Sequence, residues 1–169
     1  MNKIAERHLV LHSVHINQKI RRIAYEIFEN NFKEDSIVLA GIAGQGHLLS
    51  QLIRRELKAI SPLQIKVVEI SINKQLPQQS EILIDCDKNE LKRMCIVIVD
   101  DVLNTGRTIT YAMKPFLSIE VKKVEVAVLV NRSHPLFPIQ AQYSGFELST
   151  TLNDHVEVIL GDEPAVYLH

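Results

Sequence analysis

The sequence predicts an α/β fold built on a mainly parallel central sheet flanked by helices. Three observations carry that prediction. Apolar runs of strand length alternate with segments of helical periodicity. The clearest of those runs are continuous rather than alternating, as expected of buried strands. The chain has 169 residues, 46% of them hydrophobic, enough for one sizeable core. Internal repeats, low-complexity tracts and dividing linkers are missing, so residues 1–169 are expected to form a single domain.

Each element has its own local reason. Ile16, Ile20, Ile23 and Ile27 fall four, three and four residues apart, which sets one apolar stripe on a helix over residues 14–31. The "LVL" before it (9–11) suits a short lead-in strand. "SIVLAG" (36–41) reads as a buried strand, and a turn punctuated by Gly41, Gly44 and Gly46 leads into the helix "HLLSQLIRREL" (47–57). "IKVVEIS" (65–71) is a second strand and "EILIDC" (81–86) a third, with "INKQLPQQSE" (72–81) reading as a solvated connector. "CIVIVDD" (95–101) is the clearest strand of all. "TITYAMKPFLS" (108–118) is helical, kinked or shortened by Pro115. "VKKVEVAVLVNR" (121–132) returns to strand, and "HVEVIL" (155–160) and "AVYLH" (165–169) are short strands joined by loops.

Composition narrows the class. A formal charge of −1 excludes a strongly basic nucleic-acid module and an acidic tail, while leaving room for a local basic patch. Cys86 and Cys95 have no C-x-x-C spacing, which argues against a cysteine zinc site or a disulfide framework. The sequence shows no apolar core of signal-peptide type and no run of 18 apolar residues, so a soluble, cytoplasmic protein without a membrane partner is expected.

The stretch "IVIVDDVLNTGRTI" (96–109) carries the chemistry. Asp100 and Asp101 fall where the strand is expected to end, at the sheet's carboxyl edge, where ligands of parallel sheets gather. Paired carboxylates there can accept hydrogen bonds from sugar hydroxyls, or sit beside a hydrated magnesium ion. The loop that follows, through Asn104, Thr105, Gly106, Arg107 and Thr108, runs into a helix whose first amides lack internal partners, a good phosphate cradle. A ribose 5′-phosphate fits both halves.

Other chemistries are weaker. A P-loop would need G-x-x-x-x-G-K-[ST], which is absent, and a receiver domain carries its acids near the first strand without Thr-Gly-x-Thr. Gly41, Gly44 and Gly46, with Glu69 on the next strand, invite a dinucleotide reading, but the spacing is not G-x-G-x-x-G. His8, His12 and His15 would share a face only if the first helix reached back to residue 8. The chain has no G-x-S-x-G elbow.

The apolar strand, acid pair and Thr-Gly-x-Thr resemble the phosphoribosyl-pyrophosphate (PRPP) signature of type I phosphoribosyltransferases. "INQKIRRIAYEIFENN" (16–31), "VLAGI" (38–42), "DDVLNTGRTITYAM" (100–113), "VEVAVLVNRSHPLFPIQAQYSG" (124–145) and "TTLNDHVEVIL" (150–160) extend the likeness to the PyrR-type pyrimidine-operon regulators and uracil phosphoribosyltransferases. "GFEL" (145–148) is also similar to hypoxanthine-guanine enzymes.

The resemblance implies the type I phosphoribosyltransferase fold, with a small hood formed partly by the C-terminal segment. It implies transfer of phosphoribosyl from PRPP to a nucleobase, uracil in the first instance, with release of pyrophosphate and with magnesium as cofactor. Asp100 and Asp101 would hold the ribose hydroxyls, directly or through magnesium-bound water, and residues 104–108 the 5′-phosphate. Ala43, Gly44, Gln45 and Gly46 would orient pyrophosphate, and Arg132 and Asn131, at a strand end, would contact base or pyrophosphate, unless Arg132 stands as a surface or interface charge. A homo-oligomer is expected from the same likeness.

The pattern also departs from the family. Ala43 and Gln45 stand where PyrR-type proteins carry basic side chains, and residues 72–81 offer only Lys74 where relatives have a Tyr, Arg and Asp lid. Asn104 replaces the aspartate of hypoxanthine-guanine enzymes and cannot serve as a general base. A regulator of pyrimidine genes that binds nucleotide and RNA but turns over weakly is therefore the alternative. Its basic face would come from "IRREL" (53–57), "LKRM" (91–94) and "VKK" (121–123). A purine phosphoribosyltransferase is the second alternative.

Overall fold

The structure, a computed structural model, describes residues 7–169. In chain order it contains β1 (His8–His12), α1 (Ser13–Asn31), β2 (Ser36–Ile42), α2 (Gln45–Ile60), β3 (Gln64–Ser71) and β4 (Leu83–Ile84). A 3₁₀ turn (Lys88–Leu91) leads to β5 (Cys95–Leu103), α3 (Arg107–Ala112) and α4 (Lys114–Leu117). β6 (Lys123–Asn131), β7 (Tyr143–Glu147), β8 (Val156–Ile159) and β9 (Ala165–Leu168) complete it.

Six strands form the central sheet in the order β4-β3-β2-β5-β6-β7, and every pair is parallel except β3 with β4. The apolar runs explain the layering. β2 and most of β5 are buried, with alternate residues facing opposite sides. Ile37, Leu39, Val97 and Val99 pack with the stripe of α1 and with Leu49, Ile53 and Leu57 of α2. Val38, Ala40, Ile96 and Ile98 pack with Ile109, Ala112 and Phe116 on the other side. Ile16, Ile20, Ile23 and Ile27 are all within 2% of complete burial. At about 1.5–3 kcal/mol each, that stripe outweighs the absence of a side-chain cap on α1.

Strand order fixes the site. From β2 the chain crosses to β3 on one side, whereas β5, β6 and β7 build out on the other. The order therefore reverses between β2 and β5, and a crevice opens at their carboxyl ends. β2 stays in register with β5 only as far as Gly41 opposite Val99, so β5 leaves β2 just before Asp100.

A second sheet, antiparallel and ordered β1-β9-β8, contains the C-terminal segment expected to contribute to a hood. The N-terminal strand thus joins the two C-terminal ones. Among the described residues no helix is long and apolar enough to cross a membrane.

Three sequence expectations need adjusting. The strand expected over 81–86 is only the two-residue edge strand β4. Beside it the Asp85 carboxylate accepts from the Glu69 amide at 2.7 Å. β5 does not end at the acids but runs on to Leu103, because β6 keeps pairing with it as far as Asn131. The helix over 108–118 breaks into α3 and α4, since Pro115 in the first turn of α4 has no amide proton to continue the ladder.

Candidate active site

The acid pair stands at the reversal point. Asp100 is 2% exposed, and its Oδ1 accepts the Asp101 amide at 2.9 Å. Asp101 turns its Oδ1 to the Val102 amide at 2.9 Å and keeps 19% of its side chain exposed. Burial, with the neighbouring Asp101 charge second, pushes the Asp100 carboxyl up to about 7, against the opposing pull of Lys74.

The connector after β3 is not simply solvated. Lys74 Nζ lies 3.1 Å from Asp100 Oδ1 and 3.9 Å from Asp101 Oδ1. Gln78 Oε1 accepts from Arg107 at 2.7 Å. A segment that looked like spacer in the sequence therefore lies across the acids and the loop beyond them.

That loop forms the rest of the crevice. Gly106 takes φ of +83°, a left-handed value that glycine adopts without strain. A Cβ there would stand 3.1 Å from that of Ile139. The Thr105 hydroxyl accepts the Arg107 amide at 3.3 Å, and α3 begins at once. Asp100, Lys74 and residues 102–109 line a cavity of about 160 Å³. The structure thus brings Asn104, Thr105, Gly106, Arg107 and Thr108 together with Asp100 around one space, with Asp101 beside it.

Leu103, Asn104 and Gly106 also line an adjoining cavity of about 350 Å³, walled by Asn131, Ser133, Pro135, Ile139 and Gln140. Sequence reasoning named Asn131 of this wall and missed the rest. Its signal was a connector with prolines at 135 and 138 directly after a strand at the carboxyl edge.

The glycine turn after β2 borders the acids but lines neither cavity. A Cβ on Gly46 would lie 2.8 Å from the Val99 carbonyl oxygen and 3.0 Å from Asp100 Oδ1, so only glycine allows this approach. Gly44 has φ of +93°, and the Ala43 amide donates to Ile70 O at 2.9 Å. The Gln45 carboxamide faces the end of β8, its Oε1 accepting the Leu160 amide at 2.9 Å.

Arg132 is the residue placed furthest from expectation. It is buried and lines neither of the two cavities. Only 6% exposed, it donates from Nε to Thr150 Oγ1 at 3.0 Å, and from one terminal nitrogen to the carbonyls of Thr151 and Asp154 at 3.1 and 2.7 Å.

The N-terminal histidines divide between β1 and α1. His12 and His15 stack at 3.9 Å, and no cluster of three or more histidine, cysteine or acidic residues suited to a metal occurs among the described residues. The dinucleotide reading also lapses, since Glu69 faces His47 across 3.9 Å and lines neither cavity.

The sequence matches the family described as phosphoribosyl transferase domain over residues 10–161. The chain belongs to the phosphoribosyltransferase family. Among this phosphoribosyltransferase's relatives is the bifunctional protein PyrR of Streptococcus thermophilus, 35% identical over 158 residues, covering 89% of this chain and 88% of that one. The protein of the same name from Fusobacterium nucleatum is 34% identical over 164 residues, covering 90% and 93%. The fold is shared with the hypoxanthine phosphoribosyltransferase of Trypanosoma cruzi (TM-score 0.75, 16% identity, 92% and 87% covered). It is shared too with a hypoxanthine-guanine phosphoribosyltransferase from Bacillus anthracis (TM-score 0.72, 18% identity, 85% and 84% covered). The family match therefore covers the acid pair and both loops, and ends before β9.

Proposed function

We propose that this phosphoribosyltransferase transfers the phosphoribosyl group from PRPP to uracil and releases pyrophosphate. The observation that carries this reading is that two neighbouring cavities share Leu103, Asn104 and Gly106 in their lining. One runs from the acid pair to the phosphate loop, and the other is large enough for a base. In this reading Asp100 and Asp101 hold the ribose hydroxyls, and the amides and hydroxyls of Thr105 to Thr108 hold the 5′-phosphate. The backbone of residues 43–46 orients pyrophosphate. Asn104, which lines both cavities, offers both a donor and an acceptor, matching a pyrimidine edge, and supplies no base for purine proton transfer.

The acids also suit magnesium. Two neighbouring hard carboxylates, one of them buried, fit an ion held through water and completed by substrate phosphates. When bound, the ion neutralises charge on the leaving pyrophosphate. The protein's own share is positioning: acids, loop and base cavity hold sugar, phosphate and acceptor in fixed relation without a covalent nucleophile.

A second reading, a nucleotide-sensing regulator with weak turnover, is favoured by the uncharged side chains at residues 43–46 and by Lys74 lying on the acids. Each of its three candidate basic segments already holds an ion pair, Arg55 facing Glu56 in the first. Arg93 faces Glu120, Lys122 faces Glu34, and Lys123 faces Glu125.

The test is pyrophosphate release from PRPP and magnesium with uracil, hypoxanthine, guanine or orotate, with Asp101→Asn as control. Release with uracil, abolished by the substitution, is expected. Release only with a purine overturns the choice of base. No release, with PRPP or UMP still bound in calorimetry, transfers the reading to the regulator.

A further inference from the structure

A buried guanidinium demands a reason, because desolvating its charge is costly unless its donors are satisfied. Arg132 directs three hydrogen bonds into one short segment, residues 150–154, which leads from β7 into β8. His134 reinforces the tie, its ring nitrogen lying 2.9 Å from Thr150 O and 3.1 Å from Thr150 Oγ1. Between them Ser133 takes a left-handed φ of +55°, which costs a non-glycine residue about 1 kcal/mol. Its amide donates to Asn131 Oδ1 at 3.0 Å and its hydroxyl to Glu147 at 3.3 Å.

The same connector grips the phosphate loop. The amides of Leu136 and Phe137 both donate to Thr105 O, at 2.9 and 3.1 Å. Ile139 packs where a side chain on Gly106 would otherwise sit. Ser133, Pro135, Ile139 and Gln140 meanwhile wall the larger cavity. One continuous stretch, 131–140, is thus tied to the segment entering β8 at one end and to the phosphate loop further along, and it lines the space between.

We propose that Arg132, with His134 and Thr150, is a positioning device that sets the wall of the base cavity from the loop entering β8. It lines neither cavity and acts only through the connector. The proposal rests on the base-transfer reading above and adds to it the residues that hold the base subsite in register with the phosphate loop. The Leu136 and Phe137 amides keep their own hold on Thr105 O, so loosening the brace falls on the base subsite rather than on phosphate binding.

Thr150→Val removes the hydroxyl that both Arg132 and His134 use, without leaving a charge unpaired. Thr150→Ser keeps that hydroxyl. Steady-state kinetics of the full chain, varying base and PRPP separately, should show the base KM raised about tenfold in Thr150→Val, with the PRPP KM within about twofold. Thr150→Ser should restore the base KM, and Arg132→Lys should restore it only in part. A lowered melting temperature with both KM values unmoved, or moved together, would reduce the brace to a structural staple and overturn the proposal.

A wild-type chain that turns over no base refutes the transferase reading instead. Amide exchange then decides the coupling. Faster exchange at the Ser133 amide in Thr150→Val than in Thr150→Ser, with Leu136 and Phe137 unchanged, sustains it, and equal exchange at Ser133 overturns it.

Discussion

Asp100→Asn should make the protein more stable and less active at once. Asparagine keeps the shape and the oxygen that accepts the Asp101 amide, but it removes a carboxylate that is 2% exposed and stands beside another acid. The carboxyl is pushed from the ordinary 3.8 up to about 7, chiefly by burial. The folded state therefore holds a proton that the unfolded chain has already released, and stability falls as pH rises between those values. Linkage puts the cost of the ionised acid at about 4 kcal/mol at pH 8, about 2 at pH 5 and under 1 at pH 4. Substitution forfeits the Lys74 contact, but that ammonium is 45% exposed, so the loss is below about 1 kcal/mol. Urea titrations should accordingly find the variant roughly 3 kcal/mol more stable near pH 8, with the gain nearly gone near pH 4. PRPP turnover should fall by about a hundredfold or more. A variant no more stable than wild type at pH 8, or a gain that persists at pH 4, would refute the account of Asp100 as a carboxylate held at a cost for its chemistry.

Other perturbations probe the same geometry. Gly46→Ala forces a methyl to within 2.8 Å of the Val99 carbonyl oxygen and 3.0 Å of the Asp100 carboxylate. It should cost about 1–3 kcal/mol in melting experiments and weaken PRPP binding with it. Lys74→Met removes a positive charge that pulls the Asp100 carboxyl downward, so that acid keeps its proton to higher pH. The acidic limb of PRPP binding, followed calorimetrically across pH, should move upward, and an unmoved limb would detach Lys74 from the site. Tyr143→Phe deletes the hydroxyl that donates to Glu125 at 2.6 Å, in a buried group that includes Asn31. It should cost about 1–3 kcal/mol of stability while leaving both KM values as they are.

What was legible in the sequence follows from distance along the chain. The isoleucine stripe of α1 and the apolar run of β5 are local patterns whose period states their burial. The acids and the cradle are contiguous, so their order alone suggested sugar beside phosphate. Lys74 and Gln78 belong to the crevice only because β3 lies next to β2 and the chain returns from it across the carboxyl edge. No local pattern could report that.

Arg132 was harder still. A charged residue at a strand end reads as surface or ligand contact until the acceptors at Thr150, Thr151 and Asp154 are brought to it. Strand order would have supplied the missing inference. Once β6 is known to pair with β5 beyond the acids, the connector leaving β6 has to emerge beside the phosphate loop, so its residues belong to the site by topology before any contact is measured. A buried guanidinium there must find acceptors close by. With the Thr105 carbonyl already accepting the connector's amides, the segment entering β8 is where this fold provides them.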